Sequence, residues 1–151
     1  MTARLTNSIP PQFLGREQHR EHNKHNKIPN PMPQTHRLYC PSSSRNWLEL
    51  IRSGAKTIDN RSWDLKRRQM RPGDTIEFWN NDAPSVFAEI IGFAVSDTFL
   101  NLYSHILNPR DTGCESANEI DAVMNQFFDA AEIAEFGVVG IKIRVVNAPA
   151  P

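Results

Sequence analysis

Lys56, Asp59 and Arg61 place an amine, a carboxylate and a guanidinium within a few residues of one another, in Gly54-Ala55-Lys56-Thr57-Ile58-Asp59-Asn60-Arg61. If Thr57–Arg61 is a strand, alternation puts Thr57, Asp59 and Arg61 on one face, with Lys56 at its entrance. Such a group could grip a small polar or anionic moiety. The spacing admits a plainer reading, a surface ion pair between Asp59 and Arg61 worth about 0–1 kcal/mol. Immediately downstream, Arg61-Ser62-Trp63-Asp64-Leu65-Lys66-Arg67-Arg68 and Arg71-Pro72-Gly73-Asp74 form a basic loop around one tryptophan. Lys66, Arg67, Arg68 and Arg71 are candidate phosphate contacts, and Trp63 a candidate platform for an exposed base. Packing in the core is the alternative for Trp63. Trp79 closes an apolar strand and reads as core.

Other chemistries lack their residues. Cys40 and Cys114 are far apart, with neither a second cysteine nor a histidine at metal-site spacing, and read as small packing residues. There is no serine–histidine arrangement and no glycine-rich phosphate loop. No metal and no cofactor is expected. No apolar run approaches the roughly 20 residues of a membrane span. The first residues lack the apolar stretch of a secretory signal, so the expectation is a cytoplasmic protein.

The chain of 151 residues fits one domain. Its net charge of zero conceals an asymmetry. Residues 37–72 carry nine Lys/Arg against three Asp/Glu, and residues 73–136 carry one against twelve. The basic half could face phosphate, or the acidic half could fold against it and cancel its field. Residues 1–35 read as a disordered polar and basic tail, because five prolines and a lack of apolar periodicity leave too little surface to bury. His19, His22 and His25 recur every three residues there without a carboxylate or thiol companion, and read as incidental. Arg16, Arg20, Lys24 and Lys27 could touch nucleic acid weakly.

The folded region is expected over 36–147, with 148–151 a C-terminal tail. His36–Cys40 suits a first strand. Ser42–Ser44 offer a cap for a helix with Trp47, Leu48, Leu50 and Ile51 inward, stopped at Gly54. Thr75–Trp79 and Val86–Val95 read as a hairpin, with Phe87, Ile91, Phe93 and Val95 on one face. A short helix over Thr98–Leu107, capped by Ser96 or Asp97, carries Phe99, Leu102, Tyr103 and Ile106 on one face, and His105 outward. Ser116 and Glu119 form a capping box before a helix with Ile120, Val123, Met124, Phe127 and Phe128 inward. Val139, Ile141, Ile143 and Val145 alternate in a last strand. Strands outnumber helices without regular alternation between them, which implies an α+β chain, a mixed barrel with peripheral helices.

The run Gly-x-Lys-x-x-Asp-x-Arg, the basic loop, Pro-Gly-Asp and a hydrophobic strand resemble the ASCH domain of the PUA-like superfamily. So do Phe99 and Leu102 in a short helix and the ending Glu132-Ile133-Ala134-Glu135-Phe136-Gly137-Val138-Val139-Gly140-Ile141. The likeness covers about residues 36–146. It implies a PUA-like β-barrel with a cleft lined by the motif, and association with RNA or a modified nucleoside. One branch resembles N4-acetylcytidine amidohydrolases, which use a lysine, a threonine and a distant glutamate. Lys56 matches the lysine, Asp59 stands where the threonine would be, and Glu115 is the carboxylate nearest the glutamate's place.

Under a hydrolase or ribonuclease reading, Lys56 would stabilise developing negative charge, Asp59 or Glu115 would activate water, and Arg61 would orient the carboxylate or hold a phosphate. Under a binding reading the same residues recognise RNA or a nucleoside without reacting. A third reading is a protein-interaction module in which the acidic segment Glu115–Glu135 meets a partner and no nucleic acid binds. The expectation is an RNA- or nucleoside-binding domain, monomeric, with hydrolysis as the alternative.

Overall fold

A computed structural model describes residues 32–148. Most of the expected tail, with its histidine triplet and basic residues, lies outside the described residues, as do residues 149–151. Five strands, β1 (Thr35–Tyr39), β2 (Ile58–Ser62), β3 (Thr75–Trp79), β4 (Val86–Ser96) and β5 (Val138–Val146), form one sheet in the order β1-β3-β4-β5-β2. β1 runs parallel to β3, and the other neighbours are antiparallel. The sheet curls into a half-barrel with four helices, an α+β arrangement. The helices are α1 (Trp47–Ser53), α2 (Phe99–His105), α3 (Ala117–Met124) and α4 (Ala130–Phe136). No described helix is long and apolar enough to cross a membrane.

β1 and β2 are the two edges of the sheet, and no backbone ladder joins them. A side chain spans the gap instead: the Arg61 guanidinium donates through Nη2 to the Tyr39 carbonyl at 3.1 Å. β1 is anchored at its other end by Asp74, in the Pro72-Gly73-Asp74 turn. The Asp74 carboxylate accepts from the Gln34 and Arg71 backbone N–H groups at 3.0 and 3.1 Å and pairs with His36 Nε2 at 2.8 Å. A three-fold acceptor at this corner fixes the start of β1 against the start of β3, where alternating Ile76 and Phe78 enter the core.

The hairpin β3–β4 forms as its alternation implies, but the face assignment along β4 changes midway. Val86, Ala88 and Ile90 point inward, then the register against β5 shifts between Ile90 and Gly92. This bulge inserts one residue, so Ile91 faces solvent while Phe93 and Val95 are buried. The expected common face of Phe87, Ile91, Phe93 and Val95 is therefore split, with Phe87 only half-buried.

Helix ends follow local chemistry with some displacement. α1 starts at Asn46, in a left-handed conformation without a side-chain cap, rather than at Ser42–Ser44, and stops at left-handed Gly54. Thr98, not Ser96 or Asp97, caps α2 by accepting the Asn101 N–H, and the helix ends at His105, so Ile106 leaves the apolar stripe and is exposed. Ser116 accepts the Glu119 N–H at 3.1 Å, and Glu119 reaches back to the Glu115 N–H at 2.7 Å, one residue before the cap. The helix ends at Met124, and Phe127 lies in the turn beyond it, exposed rather than inward. A separate helix, α4, is capped by Asp129 and closed by Gly137. The acidic segment 115–135 is thus two helices around an aromatic turn.

Candidate functional site

Two backbone bonds deliver the polar cluster to its place. The Lys56 N–H donates to the carbonyl of Leu50 in α1 (2.9 Å), and the Thr57 N–H to the Asp111 carbonyl (2.8 Å) in the 3-10 turn Pro109–Thr112. These two bonds tie the segment entering β2 to helix α1 and to that turn. It opens onto a cavity of about 220 Å³. That is smaller than the roughly 300–1,000 Å³ of a drug-sized site and suits a single ring-sized group.

Lys56 is buried although it is a lysine. Its Nζ donates to the Ile58 carbonyl at 2.7 Å and sits 5.2 Å from the centroid of the Trp47 ring. Burial pushes the Lys56 amine below its ordinary value, opposed by the nearby Asp59 carboxylate and reinforced by Arg61. Asp59 and Arg61 form a close pair, with Nε to Oδ2 at 2.6 Å and side chains only 7% and 12% exposed. The plainer reading of a surface pair is therefore replaced by a largely desolvated one. Thr57, expected to share their face, lies before β2 and is exposed.

The remaining walls come from segments that sequence distance kept apart. Cys40 and Cys114, read as unrelated packing residues, both line this cavity. Burial raises the Cys40 thiol to about 11, with the Asp59 charge adding to the effect. Thr112 and Cys114 turn inward on either side of left-handed Gly113, which leaves Glu115 pointing out. The Glu115 side chain is 78% exposed, lies 3.5 Å from Arg110, and does not line the cavity. The expected acidic partner is absent from the side facing Lys56, where the local alternation supplies a hydroxyl and a thiol. Trp47, Ile120, Met124 and Phe128 make the apolar wall, and half-exposed Tyr39 and Phe127 stand among the lining residues. Asn60 also borders it, with its side-chain oxygen held by the buried Tyr103 hydroxyl.

The basic loop does not join this cavity. Trp63 packs against Phe93 with ring centroids 5.6 Å apart, and Arg68 lies over its ring while donating to the Trp63 and Phe136 carbonyls. Arg67 pairs with Asp64. Lys66 and Arg71 are exposed. The aromatic side chains near the site are instead Trp47, Tyr39 and Phe127, with Trp79 beside Tyr39. Tyr39 lies on the exposed face of β1 and Phe127 in the turn after α3, where the helical period in sequence carries Phe127 inward. Among the described residues no cluster of three or more histidine, cysteine or acidic side chains could hold a metal.

No family model matches the chain, and no curated protein matches it. Solved structures do. The hypothetical protein PH0355 superposes with a TM-score of 0.62 at 29% identity, covering 76% of this chain and all of that one. Protein PF0455 from Pyrococcus furiosus matches with a TM-score of 0.56 at 26% identity, over 76% of this chain and 99% of its own. The ASCH domain from Lactobacillus crispatus matches with a TM-score of 0.51 at 17% identity, over 75% and 79%. The last of these matches, together with the curled mixed sheet, shows that the described domain has the fold of the ASCH domain.

Proposed function

We propose that this domain binds RNA or a modified nucleoside, with one base or base-sized group held in the cavity at Lys56, Asp59 and Arg61. The observation that carries the reading is a buried lysine beside a desolvated Asp59–Arg61 pair, at the polar end of an otherwise apolar hollow. A planar ring would meet Trp47, Ile120 and Phe128, while its polar edge would meet the Lys56 ammonium and the Arg61 guanidinium. Burial strengthens such bonds, because neither donor competes with bulk water. Glu115 plays no part in this reading.

The lowered Lys56 amine favours one chemical extension of the same reading, hydrolysis of an acyl group on the bound base. An amine that gives up its proton more readily can take one from water or stabilise developing charge at different stages. Asp59 is less available as a base, since its Oδ2 already accepts from Arg61 at 2.6 Å.

Titration of a panel of nucleosides, N4-acetylcytidine and short single-stranded RNAs against the wild-type protein and Lys56→Ala tests both forms. Binding that is present in the wild type and lost in the variant supports recognition at this cavity. Turnover of N4-acetylcytidine lost with it supports the hydrolytic form. Unchanged affinity and turnover in Lys56→Ala overturn the proposal.

A further inference from the structure

The outer face of the β1–β3 edge carries a row of side chains of which the cavity uses only Tyr39. Tyr39 and Trp79 are partners in the parallel register, as are Arg37 and Glu77 two residues earlier. On this face the Tyr39 and Trp79 rings meet edge to face with centroids 4.9 Å apart, and the Arg37 guanidinium lies 4.6 Å from the Trp79 ring. Tyr39 is 45% exposed, although a tyrosine and a tryptophan of a β-strand would ordinarily be covered. Trp79, read from sequence as core, is only partly buried.

This patch is continuous with the cavity. Tyr39 lines the cavity, and its carbonyl receives the Arg61 guanidinium. The order along the edge is thus Arg61, Tyr39, Trp79, Arg37: a cation, two aromatic rings and a second cation. Arg37 is engaged by Glu77 only through Nε at 3.1 Å, and Arg61 uses Nε and Nη2. Each guanidinium keeps a terminal nitrogen for a phosphate oxygen. Two adjacent rings flanked by two cations suit a base with the phosphates on either side of it in a single strand, whereas a free nucleoside would leave Trp79 and Arg37 unused.

We propose that Tyr39, Trp79 and Arg37 form a subsite for the nucleotide next to the one in the cavity, so that the ligand is single-stranded RNA rather than a free nucleoside. This rests on the reading of the cavity as a base site and adds the length and direction of the ligand. The strand would run from the cavity across Tyr39 onto Trp79, with its linking phosphate between Arg61 and Arg37.

The test measures affinity of the full chain for a mixed-sequence single-stranded RNA nonamer, by fluorescence anisotropy, and for free cytidine and N4-acetylcytidine, by calorimetry. Wild type is compared with Trp79→Leu, Arg37→Gln and Lys56→Met, each checked for folding by circular dichroism. The expected result is that Trp79→Leu weakens RNA binding about 5- to 100-fold, as loss of one stacked base does, with nucleoside affinity unchanged. Arg37→Gln should weaken RNA binding and flatten its salt dependence by about one phosphate contact. It decides the matter if Trp79→Leu fails to fold. The subsite is overturned if RNA affinity is unaffected in the folded variants, if the nonamer binds no tighter than the nucleosides, or if nucleoside affinity falls in parallel. RNA binding that needs Trp79 but ignores Lys56→Met, with no nucleoside bound, would overturn the cavity reading and leave the platform standing. Binding of neither probe to the wild type overturns both.

Discussion

Replacing Arg61 by methionine should destabilise the protein far more than removal of an exposed ion-pair partner would. The variant removes the Nε donor that lies 2.6 Å from Asp59 and leaves that carboxylate buried in a largely apolar hollow. Breaking a buried pair by deleting one partner costs about 3–5 kcal/mol, because the remaining charge has lost water and its hydrogen-bonded counter-ion, and the nearby Lys56 amine keeps the cost toward the lower end. The lost bond to the Tyr39 carbonyl adds about 1 kcal/mol. With a urea slope of about 1–3 kcal/mol per molar, the midpoint should fall by at least about 1 M, followed by tryptophan fluorescence. The double variant Asp59→Asn/Arg61→Met should recover most of the loss, leaving about 1 kcal/mol for the Tyr39 carbonyl. A single-variant loss under about 1 kcal/mol, as for exposed pairs, would refute the reasoning. So would strict additivity of the Asp59→Asn and Arg61→Met losses.

Three further outcomes are expected. Asp74→Asn should cost about 2–4 kcal/mol, since an amide cannot accept all three bonds from Gln34, Arg71 and His36, and should be read by chemical denaturation. The hydrogen bonds from His36 and from the two backbone N–H groups outweigh burial and hold the Asp74 carboxyl below its ordinary 3.8. A depressed folded value stabilises above the unfolded one, so its contribution is present above about pH 4 and lost as pH falls through the lowered value, and Asp74→Asn should remove that part of the acid slope. Gly137→Ala should cost about 2 kcal/mol or more in a thermal melt, because φ is +74° and a Cβ would lie 2.8 Å from the Ser96 carbonyl oxygen. Glu115→Gln should leave both stability and ligand affinity unchanged, and a loss of affinity would restore the acidic partner to the site.

Where local chemistry decides the structure, the sequence was readable. Alternation gave β3 and most of β5, and Gly54 marked the end of α1. Lys56, Asp59 and Arg61 converge on one cavity because they are neighbours on one strand and its entrance. Features set by long-range packing were not readable. The bulge after Ile90 is a mismatch between β4 and β5, and neither strand announces it alone. Cys40 and Cys114 meet across the cavity only because α1 and the 3-10 turn at Pro109 both hold the chain at Lys56. Glu115 missed the site by one residue, and a one-residue error in an alternating segment exchanges inside for outside. The face of Trp79 depended on β1 pairing in parallel beside it, since the same alternation serves a buried strand or an edge-proximal one.

The clasp between the two sheet edges is a side chain and not a run of peptide hydrogen bonds, which gives the molecule a weak point of a definite kind. Peptide ladders are cooperative and indifferent to solutes, whereas a single guanidinium answers to any anion that reaches it. An anion that takes the remaining terminal nitrogen of Arg61 pulls on the same guanidinium that holds the Tyr39 carbonyl. A group seated in the hollow beside Arg61 would therefore bear directly on the one contact that joins the two edges.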